Sequence, residues 1–522
     1  MDPTSMEEGL DLMLKLVSSV VLAGFLGLLL HFYNAVLLKP NKLRLKLQNQ
    51  GVRGPSPSFF YGNIHEMTRI KLEAQSAQKD VKAAISHDWF PTLFPFLDKW
   101  RNQYGSVFLY STGHLQLLCT TDLEMVKEIG LHKSLSLGKP SYLTKDRGPL
   151  LGQGILSSSG PIWAHQRKII APNLFPDKVK SMVNLMVDAT ISMLKSWESR
   201  VEGEGGISEI LVDEDLRCLS ADIISRACFG SDYSQGEEIF SNLNALQLAM
   251  SKPNIGVPGM RYLPTKNNRE IWKLEKAVDT LISSVVNRRI KEATTATHDR
   301  DLLQMILDGA DDFKGLSKER FIVDNCKSMY FAGYETTATT ASWTLMLLAA
   351  YPDWQARVRA EVLEACKGGL PDANALRNMK KLTMVIQETL RLYPPATFAI
   401  RQALEDIDFK GITIPKDMNI QIPIPALQQS LDLWGPDAHQ FNPERFANGI
   451  AEASKVPQAY MPFGIGARIC AGQHFAMAEL KVVLSLLVSK FCFSLSPAYH
   501  HSPAFRLVIQ PQHGVCLLVE RV

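Results

Sequence analysis

The sequence lacks the closely spaced cysteine pairs that form metal-binding and redox motifs. Its eight cysteines are scattered over 522 residues without a Cys-x-x-Cys pair, and most stand among apolar neighbours, which is typical of buried free thiols in a reducing compartment. Neither sign of charge dominates, because 56 lysines and arginines face 53 aspartates and glutamates. A net charge of +3 gives no indication of nucleic-acid binding.

The sequence also lacks features that would divide it into several domains. After the first sixty residues there is no Pro/Ser-rich linker, no block of like charge and no repeat. With 46% hydrophobic residues the chain has enough apolar material for a large core. We therefore predict one large, mostly helical domain over residues 63–522, with only small β-sheets.

One long apolar run is present near the start of the chain. Residues 16–38 are almost wholly apolar, and at about 1.5 Å per residue they would form a helix of roughly 34 Å, which can cross a bilayer. A cleaved signal peptide is the alternative. The preceding segment is acidic rather than basic, however, the run is too long, and no clear cleavage site follows. The pattern favours an uncleaved transmembrane anchor.

The charges around this run predict its orientation. Five basic residues follow it closely, which favours a cytosolic position for that side and a lumenal position for residues 1–15. They are Lys39, Lys42, Arg44, Lys46 and Arg53. A turn-rich stretch, GVRGPSPS, then occupies residues 51–58. We predict that residues 39–62 form a hinge between the anchor and a cytosolic body.

A cysteine near the carboxyl end stands in an unusual setting. Residues 463–472 read FGIGARICAG, which fills all five positions of the pattern F-x-x-G-x-R-x-C-x-G. A thiolate ligand must be kept deprotonated and aimed at its metal. Gly466 and Gly472 allow a tight turn with amide N–H groups towards the Cys470 sulfur, and a helix starting near Gly472 adds a positive dipole end. A buried core cysteine would not need all five positions.

These residues resemble the haem-binding loop of the cytochrome P450 family. The resemblance implies that Cys470 is the axial ligand of haem b, that Phe463 shields the ligand from water and that Arg468 neutralises a haem propionate. Trp163 and Arg167, one helical turn apart in a W-x-x-x-R set, and Arg401 would be further haem contacts. Otherwise each arginine is an exposed helix or strand charge.

Two further motifs follow in the order that the family shows. Glu388 and Arg391 form an E-x-x-R set whose spacing places both on one helical face, and Arg445 follows in FNPERF. The resemblance assigns these three residues to a buried ion cluster that acts as a scaffold beneath the haem. Between them, Gln428 and Ser430 depart from the family pattern, which usually has histidine and aspartate there.

A long helix with an unusual centre is also predicted. Ser317 can cap it and Pro352 ends it. Its central sequence AGYETT, residues 332–337, is poor helix material, which suggests a helix that opens to admit dioxygen. In the resemblance, Glu335 and Thr336 are the acid–alcohol pair that delivers protons for dioxygen activation. Solvent-facing threonines are the alternative, but the apolar residues just before them favour a buried pocket.

The resemblance covers essentially the whole chain and implies a monooxygenase. Such an enzyme inserts one atom of O2 into a C–H or C=C bond and reduces the other to water. Since no dinucleotide fingerprint or flavin module is evident, electrons would come indirectly from NADPH through a separate membrane-bound NADPH–cytochrome reductase. We expect this reductase to dock near Arg167, Lys168 and Lys455, with the chain held in the endoplasmic reticulum membrane by a single span.

The substrate is indicated less directly. Residues 50–63 and 507–514 most resemble the plant membrane-bound group called clan 72, and within it enzymes that oxidise gibberellins and related diterpenoid or triterpenoid acids. The resemblance places four mostly apolar residues in the pocket, which suits a fused-ring substrate: Thr397, Phe398, Ala399 and Ile400. Lys145 or Arg147 could bind a substrate carboxylate; a solvated loop charge is the alternative for each.

Other functions remain open at this point. The same chemistry could act on a brassinosteroid or a cytokinin. Some relatives rearrange hydroperoxides without a reductase, and a haem-binding membrane adaptor would need no catalysis at all. The intact Glu335–Thr336 pair argues against the last two, because neither needs a proton relay.

Overall fold

Helices dominate the computed structural model, which describes residues 3–77, 85–132, 135–230, 233–251, 259–292, 301–311 and 315–522. This confirms the prediction of a mainly α fold. The α-helices of these residues are α1 Pro3–Tyr33, α2 Lys39–Gln48, α3 Ile64–Ala77, α4 Phe90–Leu93, α5 Pro95–Tyr104, α6 Leu123–Leu131, α7 Ser141–Lys145, α8 Gly148–Leu151, α9 Gly160–Ile170, α10 Pro176–Gly203, α11 Val212–Phe229, α12 Tyr233–Ser251, α13 Lys266–Glu292, α14 Leu302–Asp311, α15 Lys318–Ala350, α16 Pro352–Cys366, α17 Ala373–Asn378, α18 Lys380–Leu392, α19 Ile424–Gln428, α20 Leu431–Trp434 and α21 Gln473–Lys490.

The β-structure is confined to small sheets, as predicted. The largest has five strands in the order β1-β2-β8-β5-β3, in which β2 and β8 run parallel and the other pairs antiparallel. A three-stranded sheet has the order β4-β12-β9, and β10-β11 and β6-β7 are separate pairs. The strands are β1 Val107–Thr112, β2 Leu115–Thr120, β3 Leu137–Gly138, β4 Ile207–Leu211, β5 Phe398–Ala403, β6 Ile407–Phe409, β7 Ile412–Ile414, β8 Asn419–Pro423, β9 Phe491–Leu495, β10 Pro503–Arg506, β11 Val508–Pro511 and β12 Cys516–Arg521.

The long central helix has the predicted bounds. The Ser317 side chain accepts a hydrogen bond from the Arg320 N–H and caps α15, which runs 33 residues until Pro352 begins the next helix. Most of α15 is buried, and it packs along α11. The helix is α-helical through residues 332–337, so the prediction that it opens there was wrong. Gly333 has another purpose, because a Cβ there would lie 2.5 Å from the Ile224 side chain of α11.

The amino-terminal helix fits the predicted membrane anchor. Within the described residues, one helix is long and apolar enough to cross a membrane, and the apolar part of it is entirely exposed. The basic segment after it is helical and contacts the body: Leu47 is fully buried, and Lys39 lies 2.7 Å from the Asp417 carboxylate. Gln50 exchanges two hydrogen bonds with the Thr413 backbone. Any hinge motion within residues 39–62 would therefore have to break these contacts.

A buried cluster of histidines and tyrosines joins three distant parts of the chain. His87 Nδ1 lies 2.6 Å from the Tyr393 hydroxyl, and His501 Nε2 lies 3.1 Å from the same oxygen. Burial, with the nearby His501 and Arg391, lowers the pKa of His87 to about 3, and burial lowers the pKa of His501 to about 4. Both imidazoles are therefore neutral in the folded protein at pH values where they are protonated in the unfolded chain.

This difference predicts the direction of a pH effect on stability. At pH values between the folded and unfolded pKa, the unfolded state binds more protons than the folded state. The contribution of each buried, neutral histidine to the free energy of unfolding is therefore complete above about pH 6.5 and is lost as the pH falls. The loss is at most about 1.4 kcal/mol per pH unit for each histidine. Denaturant unfolding between pH 5 and 8 should show a shallower slope for His87→Gln than for the wild type. The exposed His513→Gln variant should keep the wild-type slope, and equal slopes in all three proteins would contradict this assignment.

Candidate active site

A cavity between the centre of α15 and the cysteine loop, residues 463–472, contains most of the predicted site residues. Residues of α9, α15, β5, the turn before β5 and the start of α21 complete its walls. Ten residues predicted from the sequence line it: Trp163, Arg167, Thr336, Phe398, Ala399, Arg401, Phe463, Arg468, Cys470 and Gly472. The structure thus brings together side chains that lie more than 300 positions apart in the sequence.

The cysteine loop is held by its backbone. The Cys470 N–H donates to the Phe463 carbonyl at 2.8 Å. Gly466 has φ +67°, and a Cβ there would lie 2.2 Å from the Gly130 carbonyl oxygen of α6, so only glycine fits. Gly472 has φ −92° and caps α21, a conformation that any residue adopts. The predicted need for glycine is therefore confirmed by the backbone at position 466 but not at 472.

Polar groups around the Cys470 sulfur oppose the effect of its burial. Burial raises the pKa of the Cys470 thiol, while the Gly472 backbone N–H and the Arg167 guanidinium lower it. Arg167 is held in place by donating to the Ile469 carbonyl at 2.7 Å. Helix α21 starts at Gln473 and adds the positive end of its dipole. The side chain opens onto the cavity.

Three further basic side chains line the same cavity: Arg401, Arg468 and Lys139. Burial lowers the pKa of Arg401 to about 10 and, together with Arg401 and Arg167, the pKa of Arg468 to about 9. Burial, Arg401 and Arg468 also lower the pKa of Lys139 well below its usual range. None of the three forms an ion pair with a carboxylate of the described residues. Carboxylates of a ligand, such as the two propionates of haem, would satisfy this cluster.

Two observations strengthen the fit to a haem. The Arg468 guanidinium lies 4.1 Å over the Trp163 ring and donates to the Ser158 carbonyl, which fixes its position at the cavity wall. Lys139, which sequence reasoning missed, completes the cation cluster. Its only sequence signal is a single charge within the otherwise uncharged run Leu135–Ser141, and nothing in that run indicates that the lysine faces a cavity.

The predicted ion cluster is present and buried. Arg391 and Glu388 are fully buried and form two hydrogen bonds, of 2.6 and 2.8 Å. Arg391 donates further to the carbonyls of Gln428, Ala438 and Gln440, so that all five of its N–H groups are used. Arg445 lies 3.5 Å from Glu388 and is held by Asp437 at 2.5 Å.

The departure from the family pattern at Gln428 has a structural explanation. Gln428 is fully buried, and its amide donates to the carbonyls of Leu390 and Arg391 at 2.9 and 3.0 Å. Its side-chain oxygen accepts from the Met461 N–H at 3.0 Å. The glutamine therefore ties α18 to the segment that leads into the cysteine loop, with donors and acceptor satisfied.

The two residues of the predicted acid–alcohol pair face different ways. Thr336 lines the cavity, and its hydroxyl donates to the Ala332 carbonyl at 2.9 Å. Glu335 is 1% exposed and lies outside the cavity wall, 3.3 Å from the Arg217 guanidinium of α11. Arg217 also donates to the Gln510 side chain of β11 at 3.0 Å. This ion pair was not predicted, because Arg217 lies 118 positions from Glu335.

Some pocket predictions need correction. Phe398 and Ala399 line the cavity, but Thr397 and Ile400 do not. Ile400 lies on the face of β5 opposite Ala399 and Arg401, and of the residues on that face only Phe398, at the start of the strand, lines the cavity. Lys145 is exposed and Arg147 donates to the Met250 carbonyl, and neither lines the cavity. Nothing in the structure therefore supports these two as partners of a substrate carboxylate.

Comparison with known proteins agrees with this geometry. Residues 89–518 match the model of the family described as Cytochrome P450. The chain belongs to the cytochrome P450 family. It is 55% identical to Cytochrome P450 714C2 of Oryza sativa subsp. japonica over 495 residues, which cover 94% of this chain and 95% of that protein. Cytochrome P450 714B3 of Zea mays is 46% identical, with 99% and 98% covered, and Cytochrome P450 714A2 of Arabidopsis thaliana is 45% identical, with 96% and 97% covered.

Family membership establishes the chemistry class of this cytochrome P450. It is a monooxygenase with a haem–thiolate cofactor, and NADPH-derived electrons reach it through a reductase. The apolar helix at its start fits the membrane anchor that plant members of the family carry. The predicted plant membrane-bound type is confirmed by the similarity to the 714 group.

The Arg217–Glu335 pair allows a direct test by a double-mutant cycle. Arg217→Met leaves a buried carboxylate without its partner and should lower the free energy of unfolding by about 3 kcal/mol. Glu335→Gln should lower it less, and the double variant should be about as stable as Glu335→Gln alone, which corresponds to a coupling of about 3 kcal/mol. Denaturant unfolding of the four proteins measures this. Simple addition of the two losses in the double variant would show that the residues do not interact.

Proposed function

We propose that this cytochrome P450 inserts one oxygen atom from O2 into an apolar terpenoid, a gibberellin-like diterpenoid or a related triterpenoid acid. One observation carries the proposal: a single cavity has Cys470 on one wall and an apolar wall facing it. The apolar wall consists of Ile155, Leu156, Met329, Ala332 and Phe398. Such a wall suits a fused-ring hydrocarbon skeleton. The resemblance of residues 50–63 and 507–514 to terpenoid-oxidising plant relatives supports the same substrate class.

Specific residues would hold the cofactor in this cavity. We assign the iron ligand to Cys470, and the propionate contacts to Arg401, Arg468 and Lys139, with Trp163 packed beneath Arg468. Arg167 would keep the sulfur ionised through its position beside the cysteine loop. A bound haem supplies the redox iron that activates dioxygen, and its thiolate ligand favours cleavage of the O–O bond.

Thr336 and Glu335 would supply protons from two sides of one helix. The Thr336 hydroxyl holds a proton at the cavity wall, and the Glu335 carboxylate lies behind that wall beside Arg217, which is a quarter exposed. Together they connect the cavity with the α11–α15 interface while the apolar wall excludes bulk water. This arrangement supports the predicted acid–alcohol pair, with Arg217 as the residue that positions its acid.

The anchor and the surface charges support a partner and a location. We propose an endoplasmic reticulum protein with a cytosolic catalytic domain, which receives electrons from an NADPH–cytochrome reductase on the cysteine side.

The proposed docking surface for the reductase contains two exposed lysines, Lys168 and Lys455, whereas the Arg167 guanidinium donates a hydrogen bond to the Ile469 carbonyl. Lys168→Glu and Lys455→Glu should therefore slow reductase-supported turnover but not peroxide-supported turnover. The exposed Lys71→Glu variant of α3 is the control, and an equal rate in all variants would contradict this docking site.

Turnover of a substrate panel tests the proposed function. Microsomes containing the chain and a plant reductase would receive NADPH with gibberellins, diterpenoid acids, triterpenoid acids, brassinosteroids and cytokinins. We expect mass spectrometry to show one added oxygen in a terpenoid acid, and no product with Thr336→Ala. Products from brassinosteroids or cytokinins alone would contradict the substrate class while leaving the monooxygenase chemistry intact.

A further inference from the structure

Trp343 and Tyr393 form a stacked aromatic pair beside the active-site cavity. Their ring centroids are 4.3 Å apart, their planes differ by 12°, and both side chains are fully buried. Thr340 lines the cavity and lies about 4.5 Å along α15 from Trp343. Pro395 also lines the cavity and stands two residues after Tyr393. The stacked pair is therefore close to any cofactor that occupies the cavity.

The hydrogen bonds around Tyr393 show where its proton points. The Ser86 carbonyl can only accept, so Nε2 of the neutral His501 ring, 3.1 Å away, carries a hydrogen. His501 Nδ1 then accepts from the Tyr499 hydroxyl at 2.9 Å. Among the described partners of Tyr393, His87 Nδ1 is left as the acceptor, at 2.6 Å, while His501 Nε2 can donate to the phenol oxygen at 3.1 Å.

A phenol with this partner can lose an electron without leaving a charge on itself. Oxidation makes the O–H group of a tyrosine strongly acidic, and a base within hydrogen-bond distance takes the proton in the same event. Burial raises the pKa of Tyr393 well above its usual range, so the phenol keeps its proton until it is oxidised. The neutral His87 ring directs the lone pair of Nδ1 at that proton.

The same hydrogen bonds lead from the stacked pair towards solvent. The Tyr351 hydroxyl lies 3.3 Å from His87 Nε2, and the Tyr499 hydroxyl lies 2.9 Å from His501 Nδ1. Tyr351 and Tyr499 are partly exposed. A dissolved electron donor can therefore reach the outer tyrosines, whereas it cannot touch the buried Tyr393.

We propose that Trp343 and Tyr393 form a redox path that gives one electron to an oxidised haem when no substrate is in position to react. Tyr393 loses the electron by way of Trp343, its O–H bond breaks, and the proton goes to His87 Nδ1. A neutral tyrosyl radical remains. A one-electron reductant of the ascorbate class then reduces this radical by way of Tyr351 or Tyr499, and His87 returns the proton. The path would protect the cofactor and the cavity wall from oxidation, a function that does not depend on the identity of the substrate.

Electron paramagnetic resonance of the haem-loaded full chain tests this proposal. Protein without substrate would be mixed with a peroxyacid, which oxidises the haem directly, and frozen within milliseconds. We expect a tyrosyl radical whose signal narrows with ring-deuterated tyrosine and disappears when ascorbate is added before freezing. Tyr393→Phe keeps the ring that stacks on Trp343 but should lose the signal, and its haem absorbance should bleach faster. A signal that survives in Tyr393→Phe, or no tyrosyl signal in the wild type, would overturn the proposal.

Tyr460→Phe is the matched control. Tyr460 stands two residues before the cavity-lining Pro462, just as Tyr393 stands two residues before Pro395. Its hydroxyl, however, donates to the Gln387 carbonyl at 3.0 Å, and a carbonyl does not take up the proton. This variant should keep the radical signal. Loss of the signal in Tyr460→Phe with retention in Tyr393→Phe would place the radical on the wrong tyrosine for the proposed path.

A measurement on the wild type alone makes the test independent of how well the variants fold. After proton transfer, the radical oxygen of Tyr393 accepts hydrogen bonds from His87 Nδ1–H and His501 Nε2–H. Pulsed resonance in deuterated buffer should therefore detect exchangeable deuterons at hydrogen-bond distance from that oxygen. A tyrosyl radical without such deuterons would lie elsewhere in the chain and would contradict the proposed path.

Discussion

Replacing Cys470 by serine should abolish monooxygenase activity and change the haem spectrum. Serine retains the size of the side chain but is far less acidic and has no sulfur, so it cannot supply the anionic sulfur ligand that we propose for Cys470. The reduced carbon monoxide complex should lose its thiolate-type absorption band. Product formation should fall by more than the roughly 10–100-fold that follows loss of a residue that only supports a metal ligand.

The structure provides a control for this substitution. Cys366 is a half-buried free thiol at the end of α16, outside the cavity. Cys366→Ser should retain both the spectrum and the activity, which separates loss of the ligand from general loss of a thiol. A Cys470→Ser protein with an unchanged carbon monoxide spectrum would contradict the assignment of the iron ligand.

Replacing Arg391 by methionine should have the largest effect on stability. The substitution leaves the Glu388 carboxylate fully buried without its main partner, and three backbone carbonyls lose their donor. Removal of one partner of a buried ion pair typically destabilises a protein by about 3–5 kcal/mol. Since typical domains are stable by only about 5–15 kcal/mol, little haem-loaded protein should remain. Denaturant unfolding and the haem content of purified protein measure the effect.

Two further variants test the explanation. Arg391→Lys should restore little, because a single ammonium group cannot replace five N–H donors in a planar arrangement. Arg521 forms an exposed ion pair with Glu202, at 2.8 Å, with side chains 53% and 63% exposed. Arg521→Ala should therefore change the stability by less than about 1 kcal/mol. An Arg391→Met protein as stable as Arg521→Ala would contradict the structural role of the cluster.

Features encoded by neighbouring residues could be predicted from the sequence. The start of α15 was predicted because a serine cap followed by an acidic first turn is a local signal, and its end because Pro352 cannot continue the helix. The cysteine loop was predicted for the same reason, since its five fixed positions lie within ten residues. Glu388 and Arg391 share a helical face by their spacing alone.

Features that depend on the rotation or approach of distant elements could not be predicted. The sequence does not show that α11 brings Arg217 to Glu335, or that the run before α7 turns Lys139 into the cavity. It also does not show that Gly333 is needed where α11 passes close to α15, so its poor helix propensity was misread as an opening of the helix. The role of Gln428 follows from contacts with α18 and Met461, which no local pattern indicates.

Isotope labelling tests the central claim most directly. The full chain, with its reductase, NADPH and ¹⁸O-labelled dioxygen, would be incubated with the terpenoid acid that the substrate panel identifies. We predict a product with one labelled oxygen atom, labelled water in equal amount, and no product without NADPH. A product that forms from a hydroperoxide without NADPH and carries no label would contradict the account, because it would make the protein a rearranging enzyme rather than a monooxygenase.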